Sequence, residues 1–364
     1  MFSLLLVFAC QCRRDPEPER VTPDPYLPPD LPGPWAPGYG GVEAADGSGS
    51  MPLWFPAVEA GSVSADYAPL GAGEASTDAR PDCEEARPVV VFSHASGGLP
   101  LQSWYLAERL STHGYISVAP LHAGNNRDDN DLTALAASVL ARPGELSDAF
   151  DALVAEASVE GSALSGCVDA DAGYAVVGHD LGATSALMAA GLTLEGDALS
   201  ADCEDGDSLS CQVLALGLGE DTGGSLSLAD ARVWAAVAMA PSRLAVDGGG
   251  MARVARPTAI FGGVQDTSVD WETVITPLMD GLGADPLGLG TFDGAGHASF
   301  TTLCPLYPQW PECAGAPYRS PDDVHALIDV TAVPFLEFTR GEDRAEHYLP
   351  PDYEGVAWMW ARGG

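Results

Sequence analysis

Three residues of this chain have the types and spacing for nucleophilic catalysis: Asp180, Asp266 and His297, in that chain order. Asp180 is the centre of Gly178-His179-Asp180-Leu181-Gly182, a G-x-nucleophile-x-G stretch with aspartate where serine is usual. The apolar run Tyr174–Val177 precedes it and a helix-like run, Ala183–Ala190, follows. Strand, sharp turn and helix is the setting in which such a motif pushes its central side chain out over a sheet edge. The two glycines permit the turn and the close packing. Asp266 follows the apolar run at 258–262, and His297 follows the run at 287–292 inside Gly294-Ala295-Gly296-His297-Ala298-Ser299-Phe300. A carboxylate behind an imidazole fixes its tautomer and stabilises the imidazolium formed during turnover.

The segment Ser93-His94-Ala95-Ser96-Gly97-Gly98 follows another apolar run and is expected to supply half of an oxyanion hole. Its donors would be the backbone N–H groups of Ser96 and Leu181. Each assignment has a plainer counterpart: Asp266 as a turn residue, and the 93–98 segment as a glycine-containing turn with no catalytic task. His179 is expected to pack against the sheet. His94, His113, His122, His325 and His347 lack ligand spacing and are read as structural or solvated. Trp104 and Tyr105 suit a pocket or the core.

These residues need a scaffold, and the rest of the chain reads as one. Short apolar runs alternate with helical patterns, the signature of a doubly wound α/β domain with a mostly parallel sheet. Strands are expected at 52–55, 88–93, 116–119, 174–177, 233–239, 258–262 and 287–292. Helices are expected from Leu101 to His113, from about 131 to 157 with an interruption at Arg142-Pro143-Gly144, and from Val324 to Phe338. Residues 193–230, polar and glycine-rich, read as a small disulfide-stapled insertion. The domain itself is placed at 39–345, with 346–364 as a C-terminal tail.

The chain has 364 residues, 46% of them hydrophobic, enough for a substantial core. Its formal net charge is -36, and all sixteen basic residues are arginine. Such a surface repels phosphates and argues against nucleic-acid binding. Residues 1–9 are signal-like: apolar, too short to span a bilayer and without a basic n-region. Val7-Phe8-Ala9-Cys10 looks like a lipoprotein cleavage site, making Cys10 a lipidation candidate. Residues 10–38 are charged and proline-rich, an expected tether. Six further cysteines allow fifteen connectivities. Proximity favours Cys83–Cys167, Cys203–Cys211 and Cys304–Cys313, with Cys12 left over. No spacing matches a zinc site, so disulfides in an oxidising compartment are the better reading, and no metal is expected.

The stretch from Arg87 to Asn125 resembles the N-terminal core of α/β-hydrolases of the predicted dienelactone hydrolase and platelet-activating-factor acetylhydrolase-like group, near its bacterial polyester-hydrolase branch. The likeness rests on Val91-Phe92-Ser93-His94, Leu106–Leu110, His113-Gly114-Tyr115 and Ala119-Pro120-Leu121-His122-Ala123-Gly124-Asn125. It extends to Ala238-Met239-Ala240-Pro241 and His297–Phe300, covering roughly residues 40–345. It implies an α/β-hydrolase fold, esterase-type activity on a small molecule, and no metal or organic cofactor. The chain departs from the group at Ala95, where glycine is usual, and at Asp180, where serine is.

Aspartate changes the chemistry expected. A carboxylate attacking an ester carbonyl gives a mixed anhydride, a poor route to acyl transfer. Attack on saturated carbon gives an alkyl ester that histidine-activated water can hydrolyse. That is the logic of haloalkane dehalogenases and epoxide hydrolases, which share this fold; Gly178-His179-Asp180 is similar to theirs. Leu181 stands where they often have tryptophan, and no epoxide-activating tyrosine can be located. The expectation is an exported hydrolase, secreted or membrane-anchored through Cys10, with an Asp180–His297–Asp266 triad. The alternative is an impaired hydrolase serving as a surface binding protein.

Overall fold

The computed structural model describes residues 31–203, 208–219, 221–349 and 354–362. The signal-like segment, Cys10, Cys12 and most of the expected tether lie outside these residues.

Eleven strands are found among the described residues: β1 (Ala36–Glu43), β2 (Ser50–Ala57), β3 (Val89–Ser93), β4 (Ile116–Val118), β5 (Tyr174–His179), β6 (Thr193–Glu195), β7 (Ser225–Ser227), β8 (Val233–Met239), β9 (Thr258–Gly263), β10 (Leu287–Phe292) and β11 (Val356–Arg362). Nine of them form one sheet in the order β1-β2-β4-β3-β5-β8-β9-β10-β11. The six from β4 to β10 run parallel. The pairs β1–β2, β2–β4 and β10–β11 are antiparallel. The central strands are continuously apolar and buried, as parallel strands covered on both faces must be.

The helices that cover the sheet are α1 (Trp104–Thr112), α2 (Leu135–Ala157), α3 (Leu181–Ala189), α4 (Gly196–Ala201), α5 (Leu209–Leu218), α6 (Gly248–Met251), α7 (Thr276–Gly281) and α8 (Pro321–Thr339). No described helix is long and apolar enough to cross a membrane. All three expected disulfides are present: Cys83–Cys167, Cys203–Cys211 and Cys304–Cys313.

The structure departs from the sequence reading in three places. Helix α2 runs through Pro143 without interruption. The missing N–H and ring clash cost about 3 kcal/mol, and the continuous apolar face of Val139, Leu146, Phe150 and Leu153, all buried, offsets that. The expected C-terminal tail contributes β11, which pairs with β10 and buries Val356 and Trp358. The end of the expected tether belongs to the domain, because β1 begins at Ala36 and the Trp35 indole donates to Asp82 at 2.7 Å. The expected disulfide-stapled insertion is found as such: the antiparallel β6–β7 pair encloses helices α4 and α5, which Cys203–Cys211 ties together.

Register brings chemistry to one edge. Ser93 pairs with Gly178 and His179 with Met239 at the carboxyl ends of β3, β5 and β8, while Gly263 pairs with Phe292 at those of β9 and β10. Every expected catalytic residue leaves the sheet at these ends, where open α/β sheets place their ligands.

Candidate active site

Asp180 sits between β5 and α3 with φ 57° and ψ -122°, a conformation that side chains other than glycine's rarely adopt. The turn is tight because its glycines let backbone approach. A Cβ on Gly182 would lie 2.1 Å from the Ser93 carbonyl oxygen. One on Gly178 would meet the Gly182 carbonyl at 2.1 Å. These contacts fix the start of α3 against β3 and aim the Asp180 carboxylate over the edge.

The carboxylate is held at both oxygens. Oδ2 accepts the Ser96 backbone N–H at 3.0 Å. Oδ1 accepts the Ser242 hydroxyl and lies 3.6 Å from His297 Nε2. On its far side His297 Nδ1 is 3.0 Å from Asp266 Oδ2. Asp266, whose side chain is 2% exposed, is itself oriented by the N–H groups of Ser268 at 2.7 Å and Val269 at 2.9 Å. The three expected catalytic residues are therefore assembled in one chain of contacts.

Charge follows from this arrangement. Burial alone would favour neutral His297, but the flanking Asp180 and Asp266 carboxylates lift its pKa to about 10. Burial would likewise raise Asp180, yet His297 and the Ser242 hydroxyl hold it well below the usual carboxylate range. Asp266 is also lowered, burial being outweighed by its bond to His297. The resting triad is an imidazolium between two carboxylates.

Of the two expected oxyanion donors, Ser96 makes the contact to Asp180. Leu181, which begins α3, shows no hydrogen bond to that carboxylate among the described residues. His179 is buried as expected, its Nε2 2.9 Å from the His297 carbonyl oxygen, and burial lowers its pKa to about 4. It packs under the catalytic loop as a neutral ring.

Sequence reasoning missed Ser242. It follows Ala240, another non-glycine residue with positive φ, and Pro241, where β8 reaches the catalytic edge. Its N–H also donates to the Asp180 carbonyl at 3.1 Å, and its own carbonyl accepts the Thr184 hydroxyl at 2.8 Å. A small polar residue just past a central strand was the available signal.

Also missed was the cluster behind Ser96. Arg142 is completely buried, donating to the carbonyls of His94 at 2.5 Å, Ala95 at 3.2 Å and Asn125 at 3.2 Å, and to Asn125 Oδ1 at 2.6 Å. Asn125 Nδ2 in turn donates to the Ser96 hydroxyl at 3.0 Å. His122 bridges Ser93 and Glu145. The readings of His94 and His122 as structural hold for these buried rings.

Asp180 and His297 face a cavity of about 330 Å³. The 96–98 turn lines one side, and Tyr307 and Trp310 of the Cys304–Cys313 loop line the other. Those two rings stack at 4.3 Å between centroids. Among the described residues no group of His, Cys, Asp and Glu side chains could hold a metal ion.

A comparison with protein-family models finds no match, and one with curated protein sequences finds none either. The architecture itself is α/β, with a large, mostly parallel nine-stranded sheet.

Proposed function

We propose that this chain is an exported hydrolase of the α/β-hydrolase fold that opens a small, neutral alkyl electrophile through an aspartyl ester. The observation that carries the reading is the pair of restraints on Asp180. One carboxylate oxygen rests on a backbone N–H, and the other faces an imidazole backed by a second carboxylate. The strand order, with its parallel centre and catalytic residues at the carboxyl ends, supports the fold assignment. The disulfides support export.

Asp180 Oδ1 attacks carbon, and the leaving group departs with the bonding electrons. Ser96 N–H stays on Oδ2, ready to stabilise charge when water later adds to the ester carbonyl. Esterification also removes the negative charge beside His297. The imidazolium then keeps one carboxylate neighbour instead of two, its proton is held less tightly and passes to solvent from the partly exposed ring, and the neutral ring can then accept a proton from the attacking water. A net charge of -36 favours neutral substrates over anionic ones. Anchoring through Cys10 would place the site at a membrane surface.

The second reading, a binding protein that no longer turns over, is favoured by the resting imidazolium, which cannot accept a proton before Asp180 is esterified. Turnover separates the two. A panel of short esters, epoxides and haloalkanes should show hydrolysis of at least one alkyl electrophile. Single turnover in heavy-oxygen water should leave label on Asp180 and give unlabelled product. Product labelled directly from solvent would remove Asp180 as nucleophile, and no turnover of any class would leave the binding protein standing.

A further inference from the structure

The Ser242 hydroxyl donates to Asp180 Oδ1, and His297 Nε2 stands 3.6 Å away, beyond hydrogen-bond reach. A carboxylate oxygen offers about two lone-pair directions, so a carbon that reaches Oδ1 from the Ser242 side must displace that hydroxyl. His297 is needed in place for the water step. Ser242 is the neighbour that can leave.

Ser242 is also one wall of a second cavity, of about 240 Å³, separate from the one that Asp180 and His297 line. Most of the other wall residues are apolar, among them Leu187, Leu244, Val246, Val274 and Leu278, with Arg243 and Thr273 as polar exceptions. Thr184, another wall residue, spends its hydroxyl on the Ser242 carbonyl. The volume falls below the roughly 300–1,000 Å³ of pockets that enclose whole drug-sized ligands. It suits the apolar end of a molecule whose reactive carbon lies elsewhere.

We propose that this cavity is a substrate-tail subsite, taking an uncharged alkyl chain whose terminal electrophilic carbon meets Asp180 Oδ1 as the Ser242 hydroxyl swings aside. The assignment rests on Asp180 being the nucleophile. In the step itself the Oδ1–carbon bond forms from a carboxylate electron pair. The carbon–leaving-group bond breaks, its electron pair leaves with the departing anion, and no proton moves. Ser242 acts as a gate: it stabilises the resting carboxylate and surrenders its place to a chain that fills the space behind it.

The test uses the full chain and two probes. Octanol binding is measured by calorimetric titration in the parent protein and in Leu278→Trp and Val246→Trp, two fillers on different segments, so that loss of one fold leaves the other. Covalent labelling of the Asp180 peptide by bromooctane and by bromoethane is then followed by mass spectrometry in a His297→Gln background, where the ester cannot turn over. Each buried methylene contributes roughly fourfold in affinity, so closing the cavity should weaken octanol binding by roughly tenfold or more. Bromooctane labelling should slow by a similar factor, bromoethane labelling should hold within about twofold, and Ser242→Ala should label faster with both. Octanol binding and bromooctane labelling that survive undiminished in both folded fillers would overturn the subsite while leaving the Asp180 reading intact. Failure of either haloalkane to label Asp180 in any variant would instead remove the nucleophile, and the subsite with it.

Discussion

The loop from Ser93 to Gly98 has a buried polar cluster on each side, and the two are built on opposite principles. In front, Asp180, His297 and Asp266 are all held ionised, and the first two face a cavity. Behind, burial drives His94 and His122 well toward the neutral form, raises Glu145 to about 7 and pulls Arg142 down to about 10. The front cluster keeps its charges because each has an opposite neighbour. In the rear cluster His94, His122 and Arg142 are buried while Glu145 is partly exposed, and Arg142 is satisfied mainly by carbonyl dipoles rather than a contacting carboxylate. Reactive charge is concentrated on one side, and the other side is spent on holding the loop still.

Substitutions should therefore separate activity from stability. Asp180→Asn should cut turnover by at least about a thousandfold, roughly 4 kcal/mol of transition-state stabilisation. Arg142→Met should act first on stability. It leaves the His94 and Asn125 carbonyls without the Arg142 donor and should cost about 3–5 kcal/mol by urea denaturation. If Arg142→Met is as stable as the parent, the rear cluster does not hold the loop.

The covalent staples extend the contrast. Cys83–Cys167 closes 84 residues and Cys203–Cys211 only 8. Loop-closure entropy predicts losses of about 4–5 and about 2–3 kcal/mol for the paired alanine variants, measured by chemical denaturation. Equal losses would mean that native contacts, rather than chain entropy, set the effect.

The smallest expected effect is on pH dependence. His297 is raised above its ordinary 6.5, so its contribution to stability is complete below 6.5 and is lost as pH climbs toward about 10. Asp180 and Asp266 are lowered from 3.8, so theirs is present above that value and is lost on acidification. The front cluster favours the folded state most between these limits. Asp180→Asn should flatten the alkaline decline, and the His297 ring protons should titrate below about 10 by NMR. An unchanged His297 titration would remove the coupling between the two residues.

Much of this was legible in the sequence, and the reasons differ by residue. Asp180, Asp266 and His297 announce themselves because each follows a buried, continuously apolar strand, and parallel strands all deliver their ends to one edge. The disulfides were legible because each partner is near in sequence or precedes a neighbouring strand. Ser242 was hidden because its one signal, a small polar residue just past a central strand, is shared by ordinary turn residues. Arg142 was hidden by Pro143, which reads as a helix break until the buried face around it is seen. Strand β11 was hidden because Val356-Ala357-Trp358 finds its partner only through tertiary pairing with β10.

The positive φ at Asp180 has a consequence at the level of the gene. Codons for aspartate and serine are never a single base apart, so an exchange at this turn passes through asparagine, glycine, alanine or tyrosine. Glycine would relax the backbone, and asparagine would keep the shape of the side chain, but none leaves a compact nucleophile on the turn. On the proposed nucleophilic role, a lineage that carries aspartate here is separated from serine chemistry by intermediates without a compact nucleophile, so Asp180 marks a commitment that point mutation alone does not readily reverse.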